Sequence, residues 1–201
     1  NSITNCQVFN FRDRAIDIPA TGTTGWNIIQ NSIYNGAVSG GITYAAASTL
    51  HMIRILGGAG YAITGNTIGG SSSSASGAVA NYTSTGNLSL HGILLTTVGS
   101  ATTSNIKNNL INNIIVNAVP TSASANVFIG IETNGANINI GGVLASEGNI
   151  IGSNTTNGSI EINTATTNTS FTSFIRGINC NSTSGFIAGN QVAGFTITNV
   201  G

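Results

Sequence analysis

Apolar residues along this chain come in short bursts of period two, without the three-to-four spacing of an amphipathic helix, so the pattern predicts brief strands and not helices. One burst recurs as an Ile, a small or amide residue three positions later, and an aliphatic two beyond that. It reads Ile3/Cys6/Val8, Ile28/Asn31/Ile33, Ile63/Asn66/Ile68, Ile106/Asn109/Ile111, Ile138/Gly141/Val143 and Ile187/Asn190/Val192. Successive matches lie 25, 35, 43, 32 and 49 residues apart, a spread that loops of unequal length absorb. A second burst precedes most of these: Ile16-Asp17-Ile18, Ile53-Arg54-Ile55, Ile93-Leu94-Leu95, Ile131-Glu132-Thr133 and Ile178-Asn179-Cys180.

A unit of this size cannot bury its own apolar face. Stacking like strands of successive repeats in parallel solves that, with each repeat about 4.8 Å above the last. The expectation is an all-β chain, a right-handed parallel β-helix (solenoid) of about five to six turns, because parallel crossovers are right-handed. Ile28, Ile63, Ile106 and Ile187 should then stack inward, with Asn31, Asn66 and Asn109 forming an amide ladder that Cys6 and Gly141 interrupt.

Composition supports strands. Gly, Asn, Ser and Thr supply 103 of the 201 residues, and 28 Ile against 8 Leu favours the pleated surface on which β-branched side chains pack well. Charge then excludes functions. Five basic and five acidic residues leave no net charge, so no basic footprint exists for nucleic acid. No apolar run reaches the length of a membrane-spanning helix. Residues 1–201 read as one β-helical domain, expected to be an excerpt of a longer chain continuing at both ends, with loop insertions near 71–86 and 164–173.

Gly65-Asn66-Thr67-Ile68 and Gly189-Asn190-Gln191-Val192 carry a resemblance to right-handed parallel β-helix proteins of the pectate-lyase-like superfold, over the whole chain. In composition the chain also resembles low-charge repeats of very large surface proteins that Bacteroidetes-type bacteria export by the type 9 route. The resemblance implies a secreted or cell-surface location and either a structural role or, as in enzymes of this fold, polysaccharide cleavage by clustered carboxylates.

Candidate chemistry is sparse. Asp13 and Asp17 could meet the spacing of a glycosidase pair, but Arg12 and Arg14 flank them. The repeat places Asp17, Arg54, Leu94, Glu132 and Asn179 in one outward row, where Asp17 and Arg54 would form a cross-turn ion pair. Arg14, His51, His91, Ile129 and Arg176 form another, in which the two histidines would stack as neutral rings. Two His ligands alone make a poor metal site. Cys6 and Cys180, several turns apart, should be buried, unpaired thiols. Thr4, Ile29, Thr64, Lys107, Asn139 and Ala188 do not make the regular Thr array of an ice-binding face.

The expected function is therefore a non-enzymatic structural or adhesive segment, with a polysaccharide lyase or glycoside hydrolase as the alternative. No catalytic, cofactor or metal residue is assigned. Surface polysaccharides or proteins are the expected partners, and Tyr82, the sole aromatic of the 71–86 insertion, is the candidate contact.

Overall fold

The computed structural model describes residues 1–20, 24–36, 41–97, 102–121, 125–156, 159–165 and 173–199. The chain runs through β1 (Ser2–Thr4), β2 (Gln7–Phe9) and β3 (Arg14–Ile18), then through four circuits of four strands each. These are β4 (Asn27–Ile29), β5 (Ser32–Tyr34), β6 (Ile42–Tyr44) and β7 (Ser48–Leu56); then β8 (Ala62–Thr64), β9 (Thr67–Ile68), β10 (Ala80–Ser84) and β11 (Leu88–Thr96). Next come β12 (Ser104–Lys107), β13 (Leu110–Ile111), β14 (Ile114–Ala118) and β15 (Ala125–Gly135), followed by β16 (Ile138–Gly141), β17 (Ile150–Gly152), β18 (Ile160–Thr164) and β19 (Ser173–Ser182). β20 (Ile187–Ala188), β21 (Gln191–Ala193) and β22 (Phe195–Asn199) close the series.

Like strands pair in sequence order to give four sheets: I, β1-β4-β8-β12-β16-β20; II, β2-β5-β9-β13-β17-β21; III, β6-β10-β14-β18-β22; and IV, β3-β7-β11-β15-β19. Every strand-to-strand pairing is parallel. The all-β, all-parallel architecture expected from the sequence is present.

Register converts the sequence repeat into columns of side chains. In sheet I the pairing runs Ile3, Ile28, Ile63, Ile106, Ile140, Ile187, and in sheet II Val8, Ile33, Ile68, Ile111, Ile151, Val192. The middle members are fully buried, whereas Ile187 and Val192, on the outermost strands, are 52% and 47% exposed. Burying each aliphatic side chain contributes roughly 1.5–3 kcal/mol, so the columns are the main apolar store of the fold.

Between sheets I and II the chain turns through one residue with positive φ: Asn5, Gln30, Gly65, Asn108 or Gly189. Gly tolerates that conformation freely and Asn better than most residues. The residue immediately after each turn is Cys6, Asn31, Asn66, Asn109 or Asn190, and there the amide ladder forms. Asn31 Nδ2 donates to Asn66 Oδ1, Asn66 to Asn109, Asn109 to Asn149 and Asn149 to Asn190, at 2.7–2.9 Å.

Two readings of the repeat are corrected here. Gly141 does not interrupt the ladder: after it the chain makes an excursion through 142–148, with a short 3-10 turn at Ala145–Glu147, and returns to the ladder at Asn149. Ile140, not Ile138, is therefore the sheet I partner of Ile106, and Val143 is 87% exposed. The same shift pairs Asn139 with Asn105 instead of placing it in the Lys107 row.

Cys6 and Cys180 are free, as expected, but exposed and not buried. Cys6 lies on the first circuit. Cys180 continues the inward column of Ile18, Ile55, Leu95 and Thr133, but on β19, the outermost strand of its sheet among the described residues.

Candidate functional site

Sheet IV contains the longest strands, and its outer face gathers most of the titratable side chains. β7, β11, β15 and β19 have 9, 9, 11 and 10 residues, against two to five elsewhere. In β11 both Leu90 and Ile93 are fully buried although three residues apart, so the in-out alternation slips by one between them. Gly92 occupies the slip because a Cβ there would sit 2.5 Å from the carbonyl oxygen of Gly130 and 2.7 Å from Cδ1 of Ile111. The core aliphatic of sheet II fills the space a side chain would need.

The preceding residue, His91, falls at this slip and is buried. Register aligns Arg14, His51, His91, Ile129 and Arg176 across the sheet, and beside them Asp17, Arg54, Leu94, Glu132 and Asn179, the two rows the repeat implied. Arg54 grips Asp17 with Nε to Oδ1 at 2.7 Å and Nη2 to Oδ2 at 2.9 Å, and Arg14 Nη1 adds a 3.3 Å contact. His51 and His91 stack with ring centroids 4.8 Å apart.

Around His91 three side chains line up. Ser89, two residues earlier on the same face of β11, places Oγ 2.9 Å from Nε2. From β15, Glu132 brings Oε2 to 2.8 Å from Nδ1, close but not aligned as a straight N–H···O bond, since Nδ1 has no well-directed acceptor. Asn179 Nδ2 donates to the other carboxylate oxygen at 3.3 Å. A carboxylate only accepts, so the 2.8 Å contact favours the tautomer with the ring proton on Nδ1, in which Nε2 presents its lone pair to the Ser89 hydroxyl.

Burial, the dominant influence, lowers the proton affinity of both histidines. It brings His51 to about 4, helped by the neighbouring His91, Arg54 and Arg14 charges. His91 is lowered too, with Glu132 opposing the shift. Both rings are neutral at pH 7, and His91 is a free base facing a hydroxyl.

Ser89 and His91 open onto a cavity of about 410 Å³ whose walls include Ser48, Thr49, Asn87 and Asn126. Arg176 Nη1 holds Asn126 Oδ1 at 2.8 Å, which leaves the Asn126 amide nitrogen as a donor on that wall. Chemically, the cluster couples a nucleophilic oxygen to a base and the base to a carboxylate. The repeat had placed His91 and Glu132 in adjacent rows. It missed Ser89, although the spacing Ser89-Leu90-His91 puts both polar side chains on one strand face.

Tyr82 does not present a surface ring. It belongs to β10, not to a loop, is 1% exposed and packs in the column of Ile42, Val116 and Ile162. Its hydroxyl accepts from Asn35 Nδ2 at 3.1 Å, and burial raises its proton affinity. The alternating burial of Ala80–Ser84 is the reason: the second half of the 71–86 segment is a sheet III strand. Most of the 164–173 insertion lies outside the described residues.

The remaining carboxylates are dispersed. Glu147 pairs with Lys107 Nζ at 2.8 Å, and Glu161 accepts from Asn163 Nδ2 at 2.8 Å. Among the described residues no group of three or more His, Cys, Asp or Glu is placed to hold a metal ion. Among them, too, no helix is long and apolar enough to cross a membrane. No protein-family model, no curated protein and no solved structure matches the chain.

Proposed function

We propose that the chain is a right-handed parallel β-helix of about five to six turns that serves as a rigid structural or adhesive segment of a large secreted or cell-surface protein. The observation that carries this reading is the continuity of the amide ladder from Asn31 to Asn190 and of the aliphatic columns from Ile3 to Ile187 and from Val8 to Val192. Such columns specify a stiff body with long outer faces rather than an enclosed binding site. Surface polysaccharides or proteins are the partners such faces would meet, and export by a type 9 route fits the composition.

The test is labelling of intact, unpermeabilised cells with antibody raised against the 201-residue chain. Surface staining, with loss of adhesion to polysaccharide or cell-surface extracts on deleting the segment, is the expected result. Staining only after permeabilisation overturns the reading. Polysaccharide cleavage has less support, because both oxygens of Asp17 are engaged by arginines and Glu132 faces His91.

A further inference from the structure

We propose that Ser89, His91 and Glu132 form an acyl-transfer relay on the outer face of sheet IV, which hydrolyses short-chain carboxylic esters of neutral hydroxylated compounds. A stiff scaffold need not be inert, and this activity stands independently of the structural role. The roles follow from three atoms already placed. Ser89 Oγ is 2.9 Å from His91 Nε2 and lines an open cavity, while Glu132 Oε2 is 2.8 Å from Nδ1. A serine is a weak nucleophile until a base removes its proton as it attacks, and a carboxylate on the far side of the imidazole fixes the tautomer and stabilises the imidazolium that forms.

The step balances without a co-reactant other than water. Ser89 Oγ bonds to the acyl carbon as its proton passes to His91 Nε2, and the bond from that carbon to the alkoxy oxygen breaks. The alkoxide takes the proton from Nε2 and leaves as the alcohol. Water then attacks the acyl carbon while Nε2 accepts its proton, the Oγ–carbon bond breaks, and Oγ recovers the proton as the acid departs. The Asn126 amide nitrogen, on the cavity wall one strand over, is a donor available to the oxyanion.

The walls set the substrate class. Ala47, Ser48, Thr49, Asn87 and Ala125 are short and uncharged, so the cavity suits a small acyl group on a hydrogen-bonding alcohol and offers neither a long apolar channel nor a cationic clamp. Glu132 is a positioning residue in this scheme.

The experiment treats the full chain with a fluorophosphonate probe, locates the adduct by mass spectrometry and follows hydrolysis of 4-nitrophenyl acetate. A single adduct on Ser89 is expected, absent in Ser89→Ala and formed at least about 100-fold more slowly in His91→Gln, the range of general-base assistance. Glu132→Gln covers the case in which the buried His91 variant does not fold. Removing the carboxylate that raises the affinity of His91 for its proton should slow labelling and move its pH midpoint downward. No Ser89 adduct in the wild type, or labelling of Glu132→Gln with unchanged rate and pH profile, overturns the relay. So does failure to hydrolyse the acetate ester.

Discussion

Asn66 and Asn109 sit one circuit apart, joined by two hydrogen bonds to a single oxygen: the backbone N–H and the side-chain Nδ2 of Asn66 both donate to Asn109 Oδ1, at 2.9 Å each. Asn66 Nδ2 also donates to the Ile28 carbonyl at 2.8 Å, so this fully buried amide has its donors filled from two directions. Its own Oδ1 is filled in the same manner by Asn31.

Replacing Asn66 by Ala should therefore orphan buried groups above and below it. With each unsatisfied group costing about 1–3 kcal/mol, a loss of about 3–5 kcal/mol is expected in denaturant unfolding. Asn190→Ala, on the last rung and only partly buried, should cost markedly less. Equal losses at the two positions would contradict the ladder as an energetic unit.

The sheet I column makes a parallel comparison. Ile106→Ala removes packed methyl groups from a site with no exposure and should cost about 2–5 kcal/mol. Ile187→Ala, in the same column but half exposed, should cost under about 1 kcal/mol. Paired unfolding curves read the difference directly.

Tyr82 is expected to matter for stability and not for contact. Tyr82→Ala should cost about 3–5 kcal/mol as a large-to-small core change. Tyr82→Phe should cost about 1 kcal/mol through the lost Asn35 bond. Binding by the folded Phe variant, measured against surface polysaccharide, should match the wild type.

Acid should weaken the fold through His51. Its folded pKa of about 4 lies below the unfolded value of 6.5, so between those values the unfolded chain binds a proton that the folded chain refuses, and stability falls as pH drops through this window. The groups acting on the ring are His91, Arg54, Arg14 and Asp17. Asp17 contributes in the same direction at lower pH: its hydrogen bond from Arg54 lowers its pKa, so its contribution is lost as pH falls towards that value. Thermal melts from pH 7 to pH 4 should show a smaller drop for His51→Phe than for the wild type.

Much of this fold was legible in the sequence because the repeat and the register are the same fact seen twice. The rows of Asp17 and Arg54, and of His51 and His91, could be written down from aligned Ile residues, since a parallel stack without slippage preserves residue offsets. Asn149 was not legible. Its Ile-to-Asn spacing is stretched by the excursion through 142–148, so the fixed spacing of the repeat falls on Gly141 and Val143 instead. Tyr82 was misplaced because a Ser/Thr-rich stretch hides a three-position alternation, Ala80, Tyr82 and Ser84, that only burial makes visible. Of the relay, Ser89 went unread because the aligned Ile residues bring out only the rows of His91 and of Glu132, and Ser89, two residues before His91 on the same strand face, lies outside both.

The amide column has a sense as well as a sequence. Each Nδ2 donates toward the later rung and each Oδ1 accepts from the earlier one, so the carboxamide dipoles align head to tail along the long axis. Turning one amide over would set oxygen against oxygen on one side and N–H against N–H on the other. The orientation of any rung thus dictates that of its neighbours, and hydrogen bonds in such a file polarise one another. The two ends are consequently unlike: a rung added after Asn190 would be met by a donor, and one added before Asn31 by an acceptor. The body can be extended in register only by a unit pointing the same way, which makes it a vector and not merely a rod.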